Sequence, residues 1–195
     1  MLELKKLHDL LFLRITQPDE ESKRHPLVQI VGRGGIKWEP EFPVDRGWVD
    51  IFVPTQQYVK QPYAIGVETG YDFSCTKILQ QNERFRKALT KRITSHVGVS
   101  RNGKGLIAGS ETIYPKLCVV IPEEFAEFIS LFKAKKISVF LWEGKTEWKC
   151  KHCKEITLGE GPWKPLKCGS CPKPARSLQL TGLSDFEMKE AYRVP

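Results

Sequence analysis

The pattern of apolar and polar residues along the chain predicts helices at its start and short strands soon after. Residues 1–15, MLELKKLHDLLFLRI, place apolar side chains at helical spacing with charges between them, which predicts an amphipathic helix. The stretch TQPDEES predicts a turn and the start of a second helix. The segments IKWEPEFPV, GWVDIFVP and YAIGVETG then predict three successive strands. Pro40 and Pro43 favour a sheet edge for the first of these strands.

A second helical period begins at Cys75. The segment CTKILQQNERFRKALTKRI has apolar residues at Ile78, Phe85, Leu89 and Ile93 with lysine and arginine between them, so we predict a basic amphipathic helix over this stretch. The segment SRNGKGLIAGSET is rich in glycine and serine and predicts a loop. After it, KLCVVIP predicts a strand, EEFAEFISLFKAKK a helix and ISVFLWEG a final strand. This order is typical of an α/β fold in which a mixed central sheet is flanked by helices.

Four of the six cysteines stand in two closely spaced pairs late in the chain. Cys150 and Cys153 belong to CKHC, and Cys168 and Cys171 belong to CGSC after fourteen intervening residues. Each pair can present two thiolates to one ion, and two pairs complete the tetrahedral coordination of a structural zinc. Two redox-active dithiols are the alternative interpretation of the same spacing.

The cysteine segment also predicts a division of the chain into two parts. We expect an α/β domain over residues 1–145 and a zinc ribbon with a C-terminal tail over residues 146–195. The ribbon is too small to bury a core without its metal. Trp148 and Trp163 lie among lysines in this segment. For each tryptophan we favour packing of the ribbon against the main domain over contact with nucleic acid.

The charge balance indicates a polyanionic partner. The formal net charge is +8 and the sequence pI is about 9.2, values typical of proteins that bind nucleic acid, with DNA the first expectation. A basic protein without such a partner is the alternative. No apolar run approaches the roughly 18 residues that span a bilayer. The N-terminus also lacks the cleavage site of a signal peptide, so we expect no membrane partner and a cytoplasmic location.

Two carboxylates stand inside or at the end of predicted strands. Asp50 lies within WVDIFV, and Glu68 follows the apolar part of AIGVETG. Two strands side by side can bring both carboxylates to one end of a sheet, within reach of Mg²⁺ or Mn²⁺, which prefer oxygen ligands. The alternatives are arginine or backbone donors for Asp50 and a salt bridge at the strand end for Glu68. His25 and His96 stand alone and are predicted to lie at the surface or at helix ends.

The residues Glu41-Phe-Pro, Gly47-Trp-Val-Asp50-Ile and Ala64-Ile-Gly-Val-Glu68-Thr-Gly70, followed by a basic helix, resemble the core of the PD-(D/E)XK, or restriction-endonuclease-like, nucleases. In that family a helix precedes a three-stranded meander with an Asp on its second strand. A (D/E)-x-K or E-x-E motif lies on the third strand, and the next helix often carries a Gln. The resemblance covers roughly residues 15–142 and implies metal-dependent hydrolysis of phosphodiester bonds.

The resemblance assigns roles to individual residues. It implies that Asp50 and Glu68 bind the catalytic Mg²⁺ or Mn²⁺ and that Gln81 is the glutamine of the following helix. It also implies that Lys77 can replace a motif lysine and that Glu21 is an acidic member from the preceding helix.

Glu68 can occupy either end of the third-strand motif. If Glu68 is the first position, the lysine position is Gly70. If Glu68 is the last position of an E-x-E variant, the first position is Gly66.

The expected function is that of a metal-dependent DNA endonuclease or DNA-processing protein, active as a possible homodimer. A non-catalytic DNA-binding or assembly protein with a degenerate nuclease fold is the alternative, and a zinc-ribbon docking protein without nucleic acid is a third. Basic residues are predicted to hold the phosphates: Arg84, Lys87, Lys91, Arg92, Arg101, Lys104, Lys151 and Lys154.

Overall fold

The computed structural model of the protein describes residues 2–17, 25–31, 35–57, 59–97 and 107–195. In this part of the chain the α-helices are α1 (Leu2–Thr16), α2 (Cys75–Leu89) and α3 (Ile129–Ala134). The strands are β1 (Glu39–Val44), β2 (Gly47–Val53), β3 (Tyr63–Val67), β4 (Lys91–Val97), β5 (Ile107–Ile113), β6 (Lys116–Pro122), β7 (Ser138–Cys150), β8 (Ile156–Glu160) and β9 (Leu178–Tyr192). Short 3-10 helices cover Pro26–Gln29, Glu123–Phe128 and Ala175–Ser177.

One mixed sheet organises the molecule, with strand order β1-β2-β3-β6-β7-β8 and with β9 also paired to β7. The first three strands form an antiparallel meander, whereas β3, β6 and β7 are parallel neighbours. Parallel neighbours need crossover connections. The stretch that contains α2 supplies one, and the stretch that contains α3 supplies the other. The predicted mixed α/β class is therefore confirmed.

Strand β7 joins two parts of the sheet because it is thirteen residues long. Its first half pairs with β6 and its second half with β8, while β9 runs antiparallel to it along nearly its whole length. Strand β7 passes through residue 145 without a break, and β9 pairs with residues on both sides of that point. The division of the chain at residue 145 stays a prediction.

The hydrophobic core consists of two buried clusters. The cluster with α2 and α3 includes Ile78, Phe85, Leu89, Phe132, Leu117, Val119 and Val139. The cluster with α1 includes Leu7, Leu11, Ile15, Ile51, Ile65, Val120, Trp142, Trp148, Cys150, Leu178 and Leu180. This second cluster continues from α1 to the cysteine segment, so the two ends of the chain share one core.

Two predicted boundaries are wrong. Helix α2 ends at Leu89 rather than near residue 93, and Thr90 adopts extended backbone angles while its hydroxyl donates to the carbonyl of Arg86. The residues after it form β4, which pairs with β5 across part of the predicted loop. Ile93 fits the helical period, but pairing with β5 stabilises a strand there instead.

The strand predicted to be the last one extends to Cys150, and β9 was not predicted. The sequence of β9 contains no apolar run that predicts a strand, because its buried and exposed residues alternate irregularly and many of them are exposed. No helix in the described ranges is long and apolar enough to cross a membrane.

Candidate functional site

Asp50 lies where β2 and β3 stop pairing. These strands are in register only from Ile51 to Val53 of β2. One residue before Ile51, the side chain of Asp50 replaces this backbone pairing: its Oδ2 accepts a hydrogen bond of 2.7 Å from the backbone N–H of Val67. The carboxylate thus takes the place of a strand carbonyl, and its other oxygen is left for a second partner.

That second partner is His8, which sequence analysis did not identify. Nε2 of His8 lies 3.4 Å from Oδ1 of Asp50, and Nδ1 lies 4.0 Å from a carboxylate oxygen of Asp9. The hydrogen bond to Asp50 is the largest influence on the pKa of His8 and raises it above its usual value, against the opposing effect of burial. One sequence feature could have indicated a partly buried His8: it directly follows Leu7, a buried member of the apolar stripe of α1.

Glu68 directly follows β3, and its carboxylate interacts electrostatically with Asp50 and His8. Its backbone N–H donates to the carbonyl of Val120 at 2.8 Å, and its carbonyl accepts from the indole N–H of Trp142 at 3.0 Å. Burial raises the pKa of its carboxyl to about 7; the negative charge of Asp50 adds to this shift, and His8 opposes it. We use the name carboxylate site for His8, Asp50 and Glu68.

The two glycines near Glu68 differ in whether the structure has room for a side chain at their positions. A Cβ atom at Gly66 would lie 3.9 Å from Oδ2 of Asp50, an ordinary contact, so this position faces the carboxylate site. Gly70 has a φ of +95°, and a Cβ atom there would lie 2.9 Å from the side chains of Pro122 and Pro162. The backbone and packing at Gly70 therefore exclude a lysine at that position.

Gln81 and Lys77 lie on α2, whose first turn is capped by Ser74. The side-chain amide of Gln81 donates to the carbonyl of Trp48 at 3.5 Å, two residues before Asp50. The side chain of Lys77 is exposed and lines a cavity of about 280 Å³ with Gln81 and Arg84, whose lining does not include Asp50 or Glu68. Gln81 thus supports the strand that carries Asp50, whereas Lys77 opens onto a separate cavity.

The predicted phosphate-binding residues are spread over several elements. Exposed side chains belong to Arg84 and Lys87 on α2, Lys91 and Arg92 on β4, and Lys151 and Lys154 in the cysteine segment. Glu21, Arg101 and Lys104 lie outside the described residues.

The four paired cysteines come together. The Sγ atoms of Cys150 and Cys171 are 3.7 Å apart, those of Cys153 and Cys168 are 3.5 Å apart, and all four lie within 4.8 Å of one another. Tetrahedral zinc with bonds of about 2.3 Å needs sulfur atoms about 3.8 Å apart, so the cluster could hold Zn²⁺.

The backbone shapes this cysteine centre through two tight turns. The N–H of Cys150 donates to Glu155, and the N–H of Cys168 donates to Lys173. The backbone N–H of Ser170 also points at the sulfur of Cys168 and lowers the pKa of that thiol to about 6, which favours the thiolate that a metal binds. Within the described ranges, no other group of three His, Cys, Asp or Glu side chains brings its donor atoms within 4.8 Å, so His8, Asp50 and Glu68 do not form such a group.

Both tryptophans of the cysteine segment pack inward. Trp148 is fully buried and its indole donates to the hydroxyl of Thr146 at 2.9 Å. Trp163 is 47% exposed, yet its ring meets Tyr71 edge to face at 5.8 Å and its indole donates to Glu124 at 2.6 Å. The predicted packing role is confirmed for Trp148, whereas Trp163 makes these packing contacts with nearly half of its surface exposed.

Of the two positions predicted for the isolated histidines, His25 takes the helix end and not the surface. It directly precedes the 3-10 helix Pro26–Gln29. It is only 6% exposed, and this burial lowers the pKa of its imidazole. His96 lies in β4, opposite Ala108 of β5.

Comparison of the chain with protein-family models, with curated proteins and with solved structures finds no match. The nature of the two sites therefore rests on their own geometry and chemistry.

Proposed function

We propose that the protein is a metal-dependent phosphodiesterase that cleaves nucleic acid, with DNA as its substrate, and that its four paired cysteines bind a structural zinc. The observation that carries this proposal is the pairing of Asp50 with His8 where β2 and β3 separate, with Glu68 directly after Val67, whose N–H donates to Asp50. Three ionisable groups from three separate elements, two of them with raised pKa values, are typical of a functional site.

The proposed catalytic cation is Mg²⁺ or Mn²⁺, held by Asp50 and Glu68. Because Oδ2 of Asp50 already accepts from Val67, the cation would bind Oδ1 and displace the imidazole of His8, which lies 3.4 Å from that oxygen. Mg²⁺ keeps several waters and can be bound through one or two carboxylates, so Asp50 and Glu68 would need no third protein ligand. When bound, the cation would activate water and stabilise charge on the phosphate.

The chain's own groups prepare this site in defined ways. Glu68 holds a proton part of the time near neutral pH, because burial and Asp50 raise its pKa. The imidazole of His8 offsets the charge of Asp50 in the absence of the cation. It could also act as a nitrogen ligand or a proton donor beside Oδ1, from which its Nε2 is 3.4 Å away.

The topology supports the resemblance to PD-(D/E)XK nucleases. A helix, an antiparallel meander, a crossover helix and a strand parallel to the third strand follow one another in α1, β1–β3, α2 and β6. Gln81 contacts the backbone of β2, as the helix glutamine of that family can do.

The surface beside Asp50 fits a nucleic-acid substrate. Trp48 is 59% exposed, and since side chains alternate along a strand, it points to the same side of β2 as Asp50. Exposed aromatic rings can stack on bases, and the basic residues of α2 and β4 can contact phosphates.

A second candidate function is favoured by the contacts of Asp50. The N–H of Val67 and the imidazole of His8 satisfy this carboxylate without a metal, and Gly70 excludes a lysine. A DNA-binding or assembly protein that keeps the fold without cleaving would have these features.

Cleavage by the Asp50→Asn variant separates the two candidates. This substitution removes the charge but keeps the shape, so we expect Mn²⁺-dependent cleavage of plasmid and single-stranded DNA to fall at least roughly a hundredfold. DNA affinity measured without Mn²⁺ should change little. Asp185→Asn is the matched control, because Asp185 is 67% exposed and its carboxylate pairs with Lys145 instead of with His8 or Val67.

Two results would favour the non-catalytic candidate. One is the absence of cleavage by the wild-type protein with either cation, and the other is equal cleavage by wild type and Asp50→Asn. The blank reactions omit the divalent cation rather than add a chelator, because a chelator would also compete for the zinc.

A further inference from the structure

The cysteine segment packs directly on the loop that carries Glu68. Pro162 lies against Gly70, where a Cβ atom would come within 2.9 Å of its ring, and Trp163 meets Tyr71 edge to face. Gly70 and Tyr71 are two and three residues after Glu68. We call residues 161–167 the bridging segment. Through Pro162 and Trp163 it contacts the loop that carries Glu68.

The bridging segment is fixed to the sheet at its beginning. The N–H of Gly161 donates to Gly144 at 3.0 Å, and the N–H of Trp163 donates to Glu160 at 3.2 Å. The carbonyl of Trp163 accepts from the hydroxyl of Thr146 at 3.4 Å. These contacts place Trp163 over β7 and β8.

The cysteine centre fixes the other end of the bridging segment. Cys168 follows the segment directly, and its sulfur lies 3.5 Å from that of Cys153. The carbonyl of Leu166 accepts from the N–H of Ala175, which lies beyond Cys171. A metal at the four sulfurs would therefore hold residues 168–171 against β7 and β8, and through them the bridging segment.

Glu68 is also held by β7, the strand that anchors the bridging segment. Trp142 of β7 donates to the carbonyl of Glu68, and Trp163 reaches Glu124, which follows β6. The loop after β3 thus contacts both β7 and the bridging segment, and both lead to the cysteine centre.

We propose that the bridging segment positions Glu68, so that zinc at the cysteine centre sets how tightly the carboxylate site binds its divalent cation. The inference rests on the proposed function for the identity of that cation. Trp163 is the positioning residue because its ring and its indole N–H contact both Tyr71 and Glu124. The glycine at position 70 allows the close approach that makes this contact possible.

The test compares Trp163→Ala with Leu166→Ala in the zinc-loaded full-length protein. Leu166 lies in the same segment but is 90% exposed, so its removal controls for changes to the segment itself. Trp163→Phe keeps an aromatic ring for Tyr71 and serves as the conservative variant. Mn²⁺ affinity is measured by calorimetry, zinc content by elemental analysis, and amide hydrogen exchange by mass spectrometry.

We expect Trp163→Ala to keep one zinc per chain but to bind Mn²⁺ about tenfold more weakly, as loss of a supporting contact does at other metal sites. Hydrogen exchange should accelerate in residues 68–74 and stay unchanged in α2. The kcat for DNA cleavage should fall while KM stays the same. Trp163→Phe should recover most of the loss, and Leu166→Ala should match the wild type.

Wild-type Mn²⁺ affinity together with unchanged exchange of residues 68–74 in Trp163→Ala would overturn the inference. If neither the wild type nor the variants bind Mn²⁺, the proposed function fails and hydrogen exchange alone decides. Faster exchange of residues 68–74 would then support positioning of the loop, and unchanged exchange would refute it.

Discussion

The cysteine centre and the carboxylate site differ in what their side chains contact when no metal is bound. The four sulfurs lie within 4.8 Å of one another and point into one small space. In the carboxylate site Asp50 already accepts from Val67 and pairs with His8. A metal at the cysteines would complete local structure, whereas a metal at Asp50 would compete with contacts that the protein already makes.

This difference fits the different roles that we propose for the two sites. A site whose donors have few other partners depends on its metal for folding. A site whose donors are satisfied without metal can bind and release a cation while the fold stays intact. The first arrangement suits a structural ion, and the second suits a catalytic ion that arrives with substrate.

The largest expected effect follows from breaking the cysteine centre. Cys168→Ser removes one of four thiolates, so we expect loss of zinc and unfolding of the segment around residues 150–177, because zinc supplies on the order of 10 kcal/mol to such sites. Zinc content and thermal unfolding measure this effect. Cys118→Ser is not a suitable control because Cys118 is buried, so Cys75→Ser, at a half-buried position in the first turn of α2, serves instead. Full zinc occupancy in Cys168→Ser would contradict a four-cysteine site.

A smaller effect is expected at the glycine between the two sites. Gly70→Ala places a side chain at φ +95° and within 2.9 Å of two prolines, which should lower the free energy of unfolding by about 1–3 kcal/mol. Gly66→Ala is the matched control, because a Cβ atom there makes only an ordinary contact. Urea unfolding of both variants measures the difference, and equal stability of the two would refute the close packing at Gly70.

The last expected effect is no larger than that of Gly70→Ala, and it is the pH dependence of stability that Glu68 causes. Its pKa is about 7 in the folded protein against an ordinary 4.5, so the folded state binds the proton more strongly than the unfolded state. The contribution of this group is therefore fully present below pH 4.5 and is lost as the pH rises through 7. At pH 8.5 the free energy of unfolding of Glu68→Gln should exceed that of the wild type by roughly 1–3 kcal/mol.

The comparison with the wild type should be made by urea unfolding in zinc-containing buffer without Mg²⁺ or Mn²⁺. The advantage of Glu68→Gln should shrink as the pH falls towards 5. Glu127→Gln is the control, since Glu127 is exposed on the 3-10 helix after β6. A constant difference between Glu68→Gln and wild type across this range would show that burial does not raise the pKa of Glu68.

Local patterns predicted the elements whose burial is regular. The apolar runs of β2, β3 and β6 and the amphipathic stripe of α1 each carry their signal within one segment. The end of α2 and the existence of β9 depended on partners distant in the chain. Strand β4 forms because β5 pairs with it, and β9 forms because β7 offers it a long edge.

The sequence by itself determined the four cysteine ligands, the basic charge and the pair Asp50 and Glu68 as candidates, because residue type and short spacing carry that information. Only the tertiary structure decided that His8 pairs with Asp50, that Gly70 must lack a side chain, and that Trp163 touches the loop of Glu68. These contacts join residues 42 to about 90 positions apart in the chain. Their energies arise from packing and electrostatics between elements, which no local pattern records.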